Sequence, residues 1–147
     1  SFSSANYSFD INAVRRAAGS VNGLRATDIQ VETISHKAAP KTTMIAGTSW
    51  QQIDLVRVAY RVVFPDQSII IDTAYDAETA QKRGEGRYDD GAWLRLQEGM
   101  RSASHVVVTH EHADHIGGLL ASPYWKEVLP RALITEEQFN NPQRALP

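Results

Sequence analysis

The chain contains no cysteine. Disulfides, a thiolate nucleophile and thiolate-bound zinc are excluded, and the redox compartment is left open. No apolar run is long enough to span a bilayer, so no membrane association is expected. Basic charge is not in excess: 15 Lys and Arg stand against 17 Asp and Glu, for a net charge of −2. That balance provides no electrostatic footprint for nucleic acid or an anionic lipid surface. Internal repeats and low-complexity tracts are absent. What remains is the composition of a soluble globular domain, 147 residues with 42% hydrophobic and 22% charged side chains, long enough to bury a core. The chain opens Ser1-Phe2-Ser3-Ser4 without a methionine, so a processed, tagged or cut start is expected. A removed signal peptide, with a periplasmic or secreted protein, is compatible with that start, and Asn6-Tyr7-Ser8 fits a glycosylation sequon. The compartment itself stays unassigned.

Against this background one stretch concentrates the chemistry: Val106-Val107-Val108-Thr109-His110-Glu111-His112-Ala113-Asp114-His115-Ile116-Gly117-Gly118. The valines read as a strand covered on both faces. Gly117-Gly118 and Leu119-Leu120 read as the first turn of a helix packed close to that strand. The histidines therefore sit in a strand-to-helix loop at a carboxyl strand end, where α/β sheets place ligands. In an extended segment His110 and His112 project to one side, and Asp114 continues that parity. His115 points away unless the chain turns into the helix there. A turn at that point would give two ligands to one metal and two to a neighbour. Imidazole and carboxylate suit zinc, iron or manganese. The plainer alternatives are Asp114 as a helix N-cap and histidines that are merely solvated; neither explains four ligand-type residues at this spacing.

His110-x-His112-x-Asp114-His115, preceded by the Val-rich strand and followed by Gly117-Gly118, resembles the signature of the metallo-β-lactamase-fold hydrolases. The resemblance implies that His110 and His112 bind one metal and that Asp114 and His115 bind a second. Both metals are expected to be zinc, with iron or manganese as alternatives. It implies water activated for attack on a carbonyl or phosphoryl centre, with Asp114 orienting the nucleophile or relaying a proton. Asp72-Thr73-Ala74 is similar to the family's second recurrent element, an aspartate at a strand end that supports the site without binding metal. The family often has glycine where this chain has Ala74; a simple turn carboxylate is the competing reading of Asp72.

The rest of the chain supplies the scaffold. Residues 1–9 read as an arm, and Asp10 caps a short helix from Ile11 to Ala18 that stops at Gly19. Thr27 to His36 alternates as a strand, followed by a loop over 37–40; His36 reads as a surface histidine. Residues 41–54 are ambiguous. Val56, Val58, Tyr60, Val62 and Phe64 form one fully apolar strand face, while Arg57, Ala59, Arg61 and Val63 form a partly charged one. A turn at Pro65-Asp66-Gln67 leads into a second strand, Ser68 to Asp72, making a β-hairpin. Tyr75 to Gly91 reads as a polar loop, either a mobile one at the mouth of the site or a plain surface connection. Ala92 to Ala103 reads as an amphipathic helix with Trp93, Leu96, Met100 and Ala103 on its stripe, and His105 opens the valine strand as a structural residue. Ser122-Pro123 starts a short helix, with proline at its first position. Arg131 to Ile134 suggests a strand, and Thr135-Glu136-Glu137-Gln138 a capping box.

This order, hairpin then helix then strand then histidine loop, resembles the N-terminal half of the αββα sandwich, an α/β layered fold. The expected division is an arm and short helix over 1–27 and a metallo-β-lactamase-like half-domain over 28–147, with the second half absent. No histidine follows His115, so the ligands that the family places later in its sequence have no counterparts here. A fragment of a longer enzyme, inactive by itself, is therefore expected, with an uncovered sheet face that invites self-association or pairing with the missing C-terminal half. The resemblance implies a small-molecule substrate such as a β-lactam, lactone, thioester or related ester. Two alternatives stand beside it: an oxidoreductase resembling the persulfide dioxygenases, which use a single iron, and a non-catalytic metal-binding or interaction module.

Overall fold

The computed structural model of the chain describes residues 10–140. The expected N-terminal arm with its sequon, and the tail from Asn141 onward, lie outside the described residues. Helix α1 (Ile11–Ser20) is capped by Asp10, whose carboxylate accepts the Asn12 amide at 2.9 Å. None of its residues is buried, and it runs to Ser20, past the expected stop at Gly19. Strand β1 (Asp28–Pro40) pairs antiparallel with β2 (Gln52–Val63), which turns through Pro65 into β3 (Ser68–Ile71). The expected hairpin is therefore present, with Phe64 donating to the Gln67 carbonyl across the turn at 2.8 Å. The expected loop over 37–40 is instead the end of β1. Continuous pairing with β2, from Lys37 opposite Leu55 to Pro40 opposite Gln52, overrides the local breaker signal of proline.

The segment from Tyr75 to Gly91, expected to be a polar loop, is also structured. It holds α2 (Ala77–Lys82), capped by Asp76, and β4 (Arg87–Tyr88), which adds to the edge of β1. Its order comes from tertiary partners: the Gly86 amide donates to the His36 carbonyl at 2.8 Å, and the Asp89 amide to the Ile34 carbonyl at 2.9 Å. Asp89 then caps α3 (Asp90–Ser102), accepting the Ala92 amide at 2.8 Å. Strand β5 (His105–Val107), α4 (Ala113–Leu120), α5 (Trp125–Val128), β6 (Ala132–Leu133) and α6 (Glu136–Asn140) follow. Pro123 precedes α5 and does not open it. Thr135 and Gln138 bond reciprocally, as a capping box requires.

The six strands form one sheet in the order β4-β1-β2-β3-β5-β6, with β3, β5 and β6 parallel and the rest antiparallel. Helix α3 packs on β1 and β3, and the core lies beneath it: Ile34, Ala59, Ile70, Leu96, Met100, Val106 and Leu119. This is the partly charged face of β2. The fully apolar face is the open one. Register aligns Val31, Tyr60, Ile71, Val107 and Leu133 in one row across five strands, and Val31, Tyr60 and Leu133 are exposed at 52%, 39% and 54%. The valine strand is thus covered on one face only, with Val106 and Val108 buried and His105 exposed. No helix among the described residues is long and apolar enough to cross a membrane.

Gly118 fixes how closely α4 approaches the end of β3. A Cβ there would overlap the Thr73 carbonyl oxygen, whereas at Gly117 it would lie 3.1 Å from the Ala74 carbonyl oxygen. Gly118→Ala should destabilise the fold by about 3 kcal/mol or more, since backbone atoms cannot yield as a side chain does. Gly117→Ala should change stability by no more than about 1 kcal/mol, the contact being partly offset by alanine's better helix propensity. Urea unfolding of both variants checks the order; equal losses would contradict it.

Candidate metal centre

The site is built where β3 and β5, parallel neighbours, both end. Asp72 follows β3 in a left-handed conformation, φ 59°, and Ala74 repeats it at φ 49°. Left-handed backbone favours glycine, so Ala74 holds this turn at a cost that a glycine would not carry. The two turns fold the segment from Asp72 to Tyr75 onto α4. The Thr73 amide and hydroxyl both donate to the His115 carbonyl at 2.8 Å, and the Leu119 amide donates to the Thr73 hydroxyl at 3.0 Å. Gly118 donates to the Ala74 carbonyl at 2.7 Å. The aspartate and the histidine loop are thereby locked together.

The chain turns into the helix at the point the spacing required. His112 occupies the position before α4, and Asp114 and His115 lie in its first turn. Asp114 is therefore not an N-cap. The turn brings the His115 ring back to His110, with centroids 3.7 Å apart, while His110 and His112 meet edge to face at 4.7 Å. Asp72 acts on this cluster from behind. Its Oδ2 accepts His115 Nδ1 at 2.8 Å, and its Oδ1 accepts the Thr109 amide at 2.9 Å. The Thr109 hydroxyl lies 2.9 Å from both carboxylate oxygens and 3.2 Å from Nδ1 of His110 and of His115. An ionised carboxylate only accepts, so Nδ1 of His115 carries the proton. Nε2 is left with its lone pair, 3.8 Å from Asp114 Oδ1. The other Asp114 oxygen, Oδ2, is 3.5 Å from Arg57 Nε.

Electrostatics follow from these contacts. Burial works against the Asp72 charge, but bonds from His115 and Thr109 outweigh it and hold the carboxyl below its ordinary range. Burial likewise favours neutral His115, yet the bond and charge of Asp72, with Asp114 adding, raise that imidazole. Burial and the neighbouring His115 and His112 lower His110, which favours the neutral ring a metal requires. The chemistry of the donors fits a divalent cation: three imidazoles, a carboxylate and a second carboxylate orienting one ring through its far nitrogen, the usual outer support of a metal-bound histidine. Their number does not complete a site. Among the described residues no three such side chains are arranged around one point as a finished cage.

Residues 53–128 match the family model of the metallo-beta-lactamase superfamily, more than half of the chain. The chain belongs to this superfamily. Among solved structures it is similar to a quorum-quenching N-acyl homoserine lactone lactonase, with a TM-score of 0.53 and 16% identity over 66% of this chain and 42% of that one. It is also similar to an N-acyl homoserine lactone hydrolase with the product N-hexanoyl-L-homoserine bound at its catalytic metal centre, with a TM-score of 0.52 and 16% identity, covering 66% of this chain and 46% of that one. The likeness is one of fold, and the chain spans less than half the length of either structure. No curated protein matches it.

The structure brings His110, His112, Asp114, His115, Asp72, Gly117 and Gly118 into one neighbourhood. Three further residues belong to it: Thr109, Arg57 and, through Arg57, Glu85. Thr109 adjoins the histidine motif and was within reach of sequence reading. Arg57 lies on a distant strand and Glu85 in a polar segment, and no local pattern marks either.

The Asp72–His115 pair carries a pH signature in metal-free protein. The lowered Asp72 contributes stability that is complete above its unfolded pKa of 3.8 and lost as pH falls through its lower folded value. The raised His115 contributes stability that is complete below 6.5 and lost as pH rises through its higher folded value. The difference in urea midpoint between the natural chain and Asp72→Asn, in chelator, should therefore be largest between about pH 4 and pH 6.5 and shrink on both sides. A pH-independent difference would contradict the pairing.

Proposed function

We propose that the chain carries part of the ligand set of a metal-dependent hydrolase centre, with zinc as the resident ion and two ions in the completed centre. The observation that carries this reading is the pairing of His115 Nε2, freed by Asp72, with Asp114 Oδ1 at 3.8 Å, beside the packed rings of His110 and His112. His110 and His112 would hold one ion, and Asp114 and His115 the other. Zinc, when bound, supplies Lewis acidity that polarises a carbonyl and brings the pKa of coordinated water to about 7. The chain's own residues hold this arrangement in place. Asp72 fixes the His115 tautomer and Thr109 buttresses both. Gly118 permits the helix approach that seats Asp114 at the strand ends, where it can orient the nucleophile or pass on its proton.

The substrate class we propose is a small lactone, β-lactam, thioester or related ester. Lactones come first because the two solved neighbours are described as acting on N-acyl homoserine lactones. Residues 28–147 would form the N-terminal half of the catalytic domain, with 1–27 outside it. The described residues hold too few converging donors for a closed centre, so the 147-residue chain alone should be inactive, and further ligands would come from a complementary segment or a second chain.

Elemental analysis after gel filtration, with zinc titration monitored by a competing chelator, tests the reading. Weak zinc binding that falls off as pH is lowered is expected, because protonation of His115, favoured by Asp72, competes with the metal. Asp72→Ala should weaken it by about 10–100-fold, and His112→Ala or Asp114→Ala by at least as much. Failure to bind zinc at all, or binding unchanged in these variants, would reject the site. Retention of one iron per chain would move the assignment to an oxidoreductase, and robust lactone hydrolysis by pure chain would reject its predicted inactivity.

A further inference from the structure

We propose that Arg57 is a positioning residue for Asp114, held in place by a buried Glu85–Tyr75 brace; the proposal rests on the metal-centre reading above. Arg57 stands on β2, far from the histidine motif in sequence. A register shift in β1 places Ser35 on the same face beside it. Thr33 pairs with Val58, but the next pair is Ser35 with Arg57, so Ile34 is the extra residue of a bulge. Such bulges re-aim side chains; here Ile34 and Ser35 are both fully buried.

Three groups then converge on one guanidinium. Arg57 Nε donates to the Tyr75 hydroxyl at 3.1 Å, Nη2 lies 3.6 Å from Glu85 Oε1, and Nε lies 3.5 Å from Asp114 Oδ2. Glu85 is itself fixed, its side chain only 2% exposed. Oε1 accepts the Tyr75 hydroxyl at 2.5 Å and Oε2 accepts the Ser35 hydroxyl at 3.2 Å. The brace is protonated as this geometry needs, because burial, reinforced by the Glu85 carboxylate, pushes the Tyr75 hydroxyl up to about 12. The opposite end is held by the Tyr88 hydroxyl, which donates to the Tyr75 carbonyl at 3.2 Å, and the Arg83 guanidinium lies 5.8 Å from the centre of the Tyr75 ring.

The consequence for Asp114 is a division of labour between its oxygens. Oδ2 faces the cation of Arg57, and Oδ1 faces His115 Nε2. A carboxylate without Arg57 would rotate freely and lose that distinction. Glu85, whose carboxylate meets Ser35, Tyr75 and Arg57, acts through Arg57. An arginine serves here because its planar fork reaches Tyr75, Glu85 and Asp114 at once, which a lysine ammonium on one flexible stem does not do.

Two measurements on the full chain test this. The first follows cobalt(II) binding by its visible absorption. Arg57→Met should weaken cobalt binding about tenfold, as loss of an outer-sphere partner does. Arg57→Lys should recover part of the loss, and Arg57→Met should have no further effect when Asp114→Asn is already present. Unchanged or tighter binding by folded Arg57→Met overturns the proposal, since removing a nearby cation by itself favours metal. So does an equal loss in the Asp114→Asn background. The second measurement is the Nε–H resonance of Arg57 in metal-free protein, which should shift on Asp114→Asn and on Glu85→Gln. A resonance unmoved by Asp114→Asn overturns the positioning role. If the natural chain binds no cobalt, the metal-centre reading fails, and the resonance still decides whether Arg57 positions Asp114.

Discussion

The Asp72 carboxylate is the interaction on which the site depends. It stands at the end of β3 in a left-handed conformation and accepts from the Thr109 amide, the Thr109 hydroxyl and His115 Nδ1. Those partners come from the end of β5 and the start of α4, so one side chain ties two strand ends to a helix. Parallel strands make this possible: β3 and β5 point the same way, and their carboxyl ends open onto a common crevice. The tie is also electrostatic. Each member of the Asp72–His115 pair stabilises the charged form of the other, and the bond leaves the remaining nitrogen of His115 turned toward Asp114.

That arrangement sits on a sheet whose two faces are used in an unusual order. The helix layer covers the face bearing Arg57 and Arg61, and the face bearing Val31, Tyr60 and Leu133 is open to solvent. Burying a guanidinium is costly unless it is paired, and the covered face satisfies this: Arg61 donates to the Ser68 hydroxyl at 3.1 Å, and Arg57 meets Tyr75, Glu85 and Asp114. The charges on the inner face are thus part of the site's frame.

The backbone between Asp72 and Tyr75 shows how little freedom the approach of α4 allows. Two of the three residues from Asp72 to Ala74 take positive φ without being glycine, and the helix meets this segment through glycines at 117 and 118. The left-handed turns cost about 1–2 kcal/mol each, and the hydrogen bonds from Thr73, Gly118 and Leu119 offset that strain locally. Strain held in place by surrounding bonds at a functional crevice is a recurrent pattern.

The sequence by itself determined the elements whose signal is local. The hairpin from β2 to β3 follows from β-branched alternation around Pro65, and α3 from its apolar stripe. The ligand candidates follow from His110, His112, Asp114 and His115 at fixed spacing, and the close helix approach from Gly117-Gly118. Where partners are distant in sequence, only the tertiary structure decided. It ordered residues 75–91 through bonds to β1, extended β1 past Ala38-Ala39 by pairing with β2, and covered the charged face of β2 instead of the apolar one. It also brought Glu85 to Arg57 and Arg57 to Asp114. The physical reason is common to all four. Backbone pairing and charge compensation depend on which groups meet in space, whereas periodicity and caps report only what a segment prefers alone.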